Sequence, residues 1–396
     1  MKIYKKLKVL CIAKDLNSII FIIRIKTPLE LWKKKFKQEV KFVQLNNISK
    51  TNLSWPDIVI FQRTMSDIEI QLANFLKKNQ KKLVYEIDDL LLRIPSYLSR
   101  TNFTINKFNI IKIINISDAL SVSTCNLKSQ FKNKNNNIHV TPNYSSPIKR
   151  ISKHYFVKTK DIKLIISSTD NVLLNMIIPA LVEVQKKFGV QIISIGPICL
   201  QLKKAGIRID ENLNFSHYEF KNFISSIDNA IGLIPLNLSL FNNCKSPIKF
   251  FDYSACGIPS ICSNVPPYSQ VIKKNFSGLL AENTKKSWIK NIYRLIKDEN
   301  LRSFLSKNAI VDIKQNYNIN KNVKSWNNLL SSIKISNISK NYKNKKKIIR
   351  FIPQMNFYFS MQIFCKNIFN THFYINTFRL LRQLGLRKFY NKIFYS

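Results

Sequence analysis

The strongest constraint on the fold is a repeating pattern of short apolar runs rich in β-branched residues. Each run is followed by a polar turn and then by a longer segment of helical periodicity. This alternation is typical of βα units that build a parallel sheet covered by helices. It predicts a helix over 171–187 and two groups of strands, at 8–13, 57–62, 82–87, 119–123 and 138–141, and then at 163–167, 191–195, 230–234 and 260–263.

The pattern is interrupted near residues 145–160, a polar and basic stretch opened by Pro142 and Pro147. A chain of 396 residues also exceeds what one hydrophobic core usually organises. We therefore predict an α/β protein with Rossmann-like domains over 1–150 and 151–335. From about residue 336 the composition becomes basic and aromatic, which predicts a helical tail over 336–396.

The charge balance is strongly basic, with 64 Lys and Arg against 22 Asp and Glu and a formal net charge of +42. The functional interpretation of such a charge is an anionic partner, such as nucleic acid, an acidic membrane surface or a phosphorylated substrate. The alternative, which we favour for most of the excess, is that AT-rich codons have drifted into permissive surface positions. The basic residues are spread along the chain, however, and the sequence has no helix-turn-helix, zinc or RNA-binding signature. We therefore expect no nucleic-acid partner and keep nucleic-acid binding as a remote alternative.

The cysteines and the N-terminus bear on the compartment. Seven Cys form an odd set with no CxxC pair and no His at metal spacing, which favours a reducing compartment. The first apolar run breaks at Lys14 and Asp15 without a cleavage site, and no segment approaches the ~20 apolar residues of a spanning helix. We expect a cytoplasmic protein.

The most informative segment is KSPIKFFDYSACGIPSICS, residues 245–263. Ser246 and Pro247 predict a helix start, with the Ser as the capping residue and the Pro at the first helical position. Gly257 and Pro259 predict the end of this helix and the turn into the next strand.

On this helix, Lys249 and Asp252 are three positions apart and share a face near the N-terminus. A nucleotide sugar needs this combination, because a cation and helix amides neutralise its diphosphate while a carboxylate accepts from its ribose hydroxyls. A surface ion pair would have the same spacing. Residue spacing alone leaves both interpretations open.

Here the sequence resembles the C-terminal half of family-four glycosyltransferases (glycosyl transferases group 1) of the GT-B fold. Their hallmark helix reads roughly K-x-x-E-x-x-A-x-G-x-P, and the matching residues are KFFDYSACGIP. Further similar segments occur in the same order over residues 55 to 315: YEIDDLLLRIP (85–95), DALSVST (118–124), VTPNY (140–144), IISSTDNVLLNMIIPAL (165–181) and FSGLLAEN (276–283).

The resemblance implies two Rossmann-like domains that face each other across a cleft. The C-terminal domain would bind a nucleotide-sugar donor, and the N-terminal domain a glycan or lipid-linked acceptor. Transfer of a hexosyl group would retain the anomeric configuration without a metal, and the nucleotide-diphosphate sugar would be a co-substrate, with no cofactor. The resemblance also implies a role in the biosynthesis of surface polysaccharide such as O-antigen or lipopolysaccharide.

The resemblance also implies residue roles. Asp252 would accept from the ribose hydroxyls, and Lys245 and Lys249 would lie near the diphosphate. The donor-binding set is then Ser167, Ser168, Thr169, Lys245, Ser246, Lys249 and Asp252, and the catalytic set is Lys249, Asp252, Asp88 and Asp89.

Three positions depart from the family pattern. Cys244 stands where members carry an acid eight residues before the ribose acid, Gln270 replaces a common Glu, and the loop at 167–169 lacks a glycine. The chain is then either a divergent active enzyme or an inactive scaffold that binds glycan or protein. We favour an active enzyme, because Lys245, Ser246, Lys249 and the GIP turn stay together.

Charged residues also follow two predicted strands of the first domain. Arg63 ends one strand, and Glu86, Asp88 and Asp89 lie at the end of the next. Ligands gather at the carboxyl ends of parallel strands, so we expect these residues on the acceptor side of the cleft. The acids would otherwise cap the following helix. A D-x-D metal site fits the GT-B pattern poorly, and we expect no metal.

The predicted tail mixes aromatic residues with Arg and Lys. An interfacial helix would place apolar side chains toward lipid and its Arg residues toward anionic head groups. The apolar set is Phe378, Leu381, Leu384 and Leu386. Extra helices packed on the N-terminal domain are the alternative. Peripheral attachment to the inner face of a membrane would suit a lipid-linked acceptor.

Overall fold

The computed structural model describes residues 6–95, 106–145, 162–167, 174–196, 198–209, 211–213 and 217–335. These residues form two six-stranded parallel sheets, each packed between helices. The predicted α/β class with two Rossmann-like domains is therefore confirmed. The predicted tail over 336–396 and the loop residues Ser168 and Thr169 lie outside the described residues.

The first sheet contains strands β1 to β6, in the spatial order β2-β1-β3-β4-β5-β6. Gln62 lies opposite Glu86, which lies opposite Ser121, so a row of polar side chains crosses the carboxyl edge of the sheet. The strands are β1 (Lys8–Ala13), β2 (Glu39–Gln44), β3 (Ile58–Gln62), β4 (Lys82–Ile87), β5 (Ala119–Val122) and β6 (Ile138–Val140).

The second sheet contains strands β7 to β12, in the order β12-β11-β10-β7-β8-β9. Read from β9, this is the doubly wound order 3-2-1-4-5-6, whose switch point lies between β7 and β10. The strands are β7 (Lys163–Ser167), β8 (Gln191–Ile195), β9 (Glu211–Leu213), β10 (Ala230–Ile234), β11 (Ser260–Ser263) and β12 (Leu279–Ala281).

Fifteen α-helices connect and cover the strands of the described residues. None of these helices is long and apolar enough to cross a membrane. The helices are α1 (Ile19–Phe21), which continues through a π-helical turn (Ile22–Lys26) into α2 (Thr27–Phe36), then α3 (Lys50–Ser54), α4 (Asp67–Lys78), α5 (Lys107–Ile116), α6 (Cys125–Phe131), α7 (Leu174–Phe188), α8 (Cys199–Lys204), α9 (His217–Ser225), α10 (Leu240–Asn243), α11 (Ile248–Ala255), α12 (Pro266–Ser269), α13 (Lys285–Lys297), α14 (Glu299–Asn316) and α15 (Ile319–Ser332).

All the predicted strands are present to within one residue at each end. The strands missed by the sequence pattern are β2, β9 and β12, each at the edge of a sheet. Only Val40 of β2 is buried, and β9 and β12 have three residues each. Short or half-exposed edge strands lack the continuous apolar run by which central parallel strands are detected.

Helix α15 returns from the second sheet to the first. Its apolar face, with Val323, Trp326 and Leu330, packs in the same core as Trp32 of α2 and Ile60 of β3. The last helix before residue 335 thus belongs to the core of the first sheet. The domain boundary at residue 150 stays a prediction.

We predict that Trp326→Ala lowers the free energy of unfolding by about 3–5 kcal/mol, because the fully buried indole leaves a cavity between α15 and the first sheet. Urea unfolding followed by circular dichroism measures the change. The control is Asn328→Ala at an exposed position of the same helix, with an expected change within about 0.5 kcal/mol. Equal effects of both variants would contradict the packing of α15 on this sheet.

Candidate functional site

The carboxyl edge of the first sheet meets a segment of the second domain that leads into α11. Phe241 and Cys244, in and just after α10, are buried in a hydrophobic core formed largely by the first sheet and its helices. The Thr124 hydroxyl donates to the Cys244 carbonyl at 2.9 Å. The junction of the domains therefore brings the ends of β3, β4 and β5 next to the predicted donor-binding residues.

Arg63, Asp88 and Asp89 form a charge cluster at this edge. The Arg63 Nε pairs with Asp88 Oδ1, and its Nη2 lies 2.7 Å from Asp89 Oδ2. Arg63 has a φ of 47°, in the left-handed region that a residue with a side chain seldom adopts. Its amide donates to the Glu86 carbonyl at 3.0 Å, which fixes the turn that directs the guanidinium toward both acids.

The electrostatics of Asp89 link the two domains. Burial and the charge of Asp88 raise the pKa of Asp89, while Arg63 and Lys245 oppose that rise. Burial lowers the pKa of Arg63, but the charges of Asp88 and Asp89 outweigh it and raise that pKa overall. Because Lys245 is the first residue of the KSPIK segment (residues 245–249), the structure brings a predicted donor-binding cation near a predicted catalytic acid.

Glu86 occupies a different place from the acceptor side that the sequence predicts. Its side chain is fully buried and pairs with the equally buried Arg24, with Nε 2.7 Å from Oε1. Arg24 also donates to the carbonyl and hydroxyl of Thr141 and to Asn143 Oδ1. Burial raises the pKa of Glu86, and the Arg24 charge opposes the rise. Glu86 thus contacts a buried Arg in the interior and is removed from solvent. No sequence pattern identified Arg24, which lies in a π-helical turn, as the partner of Glu86.

The start of α11 differs from the sequence prediction. Pro247 is the N-cap residue and no side chain caps the helix, so the predicted capping role of Ser246 is wrong. Within the described part of the chain, the Ser246 hydroxyl is removed from solvent and has no hydrogen-bond partner. The end of the helix is as predicted, because Gly257 adopts a φ of 70°.

Lys249 lies at the carboxyl end of β7. Its ammonium donates to the Ser167 carbonyl at 2.5 Å, so two predicted donor-binding residues from distant parts of the chain are adjacent. This edge is next to the switch point between β7 and β10, where doubly wound sheets bind ligands.

Asp252 is buried, and its Oδ1 lies 2.8 Å from the ammonium of Lys221 in α9. The sequence gave no reason to select Lys221, because a single Lys in an amphipathic helix is usually a solvated residue. The Asp252 carboxylate therefore already has a cationic partner. Its proposed contact with a ribose would be made beside that pair.

Two residues that depart from the family pattern lie at the junction. Burial, with the nearby Asp89 charge, raises the pKa of the Cys244 thiol to about 11. Gln270 Nε2 lies 3.5 Å from Asn126 Oδ1 of α6. Both side chains thus face the first domain. In the described residues, no group of three or more His, Cys, Asp or Glu side chains is arranged to hold a metal ion.

The sequence matches the model of a known family at this site. The family described as Glycosyl transferases group 1 matches residues 245–312, which include the KSPIK segment, α11 and β11. No curated protein matches the chain significantly.

Solved structures with the same fold are distant in sequence. HepE of Anabaena, in complex with UDP and glucose, has a TM-score of 0.59 and 12% identity, with 83% of this chain and 100% of that chain covered. Sucrose-phosphate synthase of Thermosynechococcus elongatus has a TM-score of 0.60 and 11% identity, with 83% and 99% covered. A glycosyltransferase of Rickettsia africae has a TM-score of 0.57 and 14% identity, with 84% and 100% covered. The fold is therefore GT-B, and together with the family match it supports classification as a GT-B glycosyltransferase.

We predict that Glu86→Gln lowers the free energy of unfolding by about 3–5 kcal/mol, because it leaves the buried Arg24 charge without its counter-ion. Urea unfolding of the variant measures this change. The matched double variant Arg24→Met with Glu86→Leu removes both charges, and we expect it to be close to the wild type. A double variant as unstable as Glu86→Gln would contradict the assignment of the pair as a compensated buried ion pair.

We predict that iodoacetamide at pH 8 modifies Cys125 and leaves Cys244 unmodified in the folded protein. Cys125 is exposed, whereas a thiol with a pKa of about 11 is only about one part in a thousand thiolate at this pH. Peptide mass spectrometry after timed labelling measures both sites, and labelling in urea is the control. Equal rates at the two sites would show that the segment around Cys244 is not packed on the first domain.

Proposed function

We propose that this protein transfers a hexosyl group from a nucleotide-sugar donor to a glycan or lipid-linked acceptor. The observation that carries the proposal is the position of the KSPIK segment within the family match. Its Lys249 contacts the carboxyl end of β7, and its Lys245 lies near Asp89 across the junction. In the proposed complex these cations and acids would lie at the carboxyl edges of both sheets, where a donor and an acceptor would meet.

The donor would bind with its diphosphate between Lys245, Lys249 and the amino-terminal end of α11. Helix amides and cations stabilise negative charge, and the charge on the diphosphate increases as the sugar leaves. The Ser246 hydroxyl has no partner among the described residues, and in the proposed complex it would donate to a phosphate oxygen. The predicted loop Ser167, Ser168 and Thr169 would complete this side, and Asp252 would accept from the ribose.

The acceptor would bind against Arg63, Asp88 and Asp89. Carboxylates held in place by a guanidinium are suited to accept from sugar hydroxyls and to orient the attacking oxygen. Retention of the anomeric configuration, and transfer without a metal ion or cofactor, are part of the proposal through the family resemblance.

We further propose a role in surface polysaccharide biosynthesis, of the O-antigen or lipopolysaccharide type, at the cytoplasmic face of a membrane. A lipid-linked acceptor would be reached there by a peripherally bound enzyme, and the basic tail over 336–396 would contribute the contact with anionic lipid. UDP is the first nucleotide to test, because structures of HepE contain UDP or UDP-glucose.

An inactive scaffold that binds glycan or protein is the second candidate. Two observations favour it: Cys244 replaces a family acid, and Asp252 is already paired with Lys221. The candidates differ in nucleotide binding and in transfer, so one set of variants separates them. Nucleic-acid binding stays the remote alternative.

We predict that Lys249→Ala weakens nucleotide binding by about 10- to 100-fold, because it removes a cation next to the diphosphate. Isothermal titration with UDP, GDP, ADP and CMP identifies the nucleotide and measures the loss. Lys290→Ala is the matched control, since it removes the same charge from an exposed position on α13. Equal affinity of the wild type and Lys249→Ala would contradict the donor site.

The proposed contact of Asp252 with the ribose must be tested with variants that do not destabilise the protein. Asp252→Ala would leave the buried Lys221 ammonium without a counter-ion, so its loss of binding would be ambiguous. Asp252→Asn should instead be compared in the wild-type and Lys221→Met backgrounds. A similar loss of nucleotide affinity in both backgrounds supports the ribose contact, and unchanged affinity contradicts it. Nucleotide binding without sugar transfer to any polysaccharide or lipid-linked acceptor would favour the scaffold.

A further inference from the structure

Helix α6 of the first domain contacts the second domain through its first turn. The Thr124 hydroxyl donates to the Cys244 carbonyl at 2.9 Å, and the Asn126 amide donates to the Asn243 carbonyl at 2.8 Å. Gln270 makes a longer contact to the other side of the same Asn126 amide group, at 3.5 Å. One helical turn therefore contacts both ends of the segment that surrounds α11.

The geometry of these groups is fixed on the α6 side. The Thr124 hydroxyl oxygen also accepts from the Leu127 amide at 3.1 Å as the N-cap of α6. The capping hydrogen bond uses a lone pair of the Thr124 oxygen, so the hydroxyl hydrogen can still be donated to the Cys244 carbonyl. The Asn126 amide group donates with its nitrogen and accepts with its oxygen, so both of its ends are used across the junction.

The backbone carbonyls of the second domain at this junction need hydrogen-bond donors from outside their own helix. Asn243 is the last residue of the short helix α10 and Cys244 is its C-cap, and the last carbonyls of a helix have no intrahelical hydrogen-bond donor. Phe241 of α10 is anchored in the hydrophobic core of the first domain. The segment is thus held by apolar packing on one side and by two directed hydrogen bonds immediately before Lys245.

We propose that Thr124 and Asn126 are positioning residues that hold residues 243–249, which we call the donor segment, in the geometry that binds the diphosphate. The proposal rests on the proposed function. Because the Cys244 carbonyl is bonded to the Lys245 nitrogen, a fixed carbonyl fixes where the Lys245 side chain begins. The acceptor domain thereby supplies the support for the donor site, and α6 itself does not contact the donor.

The test uses full-length protein and four single variants. Asn126→Asp is nearly isosteric and keeps an acceptor for Gln270, but it cannot donate to the Asn243 carbonyl. Thr124→Val removes the hydroxyl, and Thr124→Ser restores it. Ser129→Ala is the matched control, because Ser129 lies on the same helix and donates only to the Asn126 carbonyl within α6 among the contacts of the described chain.

Two measurements separate positioning from simple stability. Hydrogen–deuterium exchange at residues 240–249, measured without any nucleotide, reports how firmly this segment is held. We expect about 5- to 10-fold faster exchange there in Asn126→Asp and Thr124→Val. Titration with UDP, GDP and ADP reports on the donor site, and we expect about 5- to 10-fold weaker binding of the nucleotide that the wild type selects. Thr124→Ser and Ser129→Ala should match the wild type in both.

Each other outcome would overturn the proposal in a recognisable way. Unchanged exchange at 240–249 would show that α6 does not hold the donor segment. Faster exchange with unchanged nucleotide affinity would show a contact without a positioning role, and a lower melting temperature with neither change would show a purely structural one. Absence of nucleotide binding by the wild type would overturn the proposed function as well, whereas the exchange result would still stand on its own.

Discussion

The arrangement of the site depends on the packing of a short second-domain segment into the core of the first domain. Phe241 and Cys244 of the second domain are buried in the hydrophobic core that the first sheet and its helices largely form. Burial of a Phe side chain contributes about 2–3 kcal/mol. Hydrogen bonds from α6 hold the carbonyls of Asn243 and Cys244, and the Lys249 ammonium reaches the Ser167 carbonyl at the carboxyl end of β7.

Charge at the junction is local and does not follow from the net charge of the chain. The three acids at the end of β4 have cationic partners in the first domain, because Glu86 pairs with Arg24 and the two aspartates share Arg63. A buried carboxylate is tolerated only with such a partner. The net charge of +42 is therefore compatible with a junction whose acids pair with nearby cations, and it does not by itself identify a partner.

Central strands and the C-terminal end of α11 were predictable because local chemistry determines them. The apolar run of β10 and the glycine at 257 each have one favourable structure. The pairings Arg24 with Glu86 and Lys221 with Asp252 were not predictable. Each joins residues far apart in sequence, and a single Arg or Lys carries no signal of its partner. The capping role expected of Ser246 was wrong, because Pro247 takes the cap position.

The replacement of the family acid at position 244 is explained by where that side chain lies. The Cys244 side chain is 1% exposed and close enough to Asp89 for its charge to raise the thiol pKa. A carboxylate there would add a negative charge to the pair formed by Asp88 and Asp89, with Arg63 already shared between them. Desolvation and repulsion would then both oppose packing against the first domain. A neutral thiol permits the close junction, so this departure is consistent with a donor segment held by the first domain and does not require a decayed site.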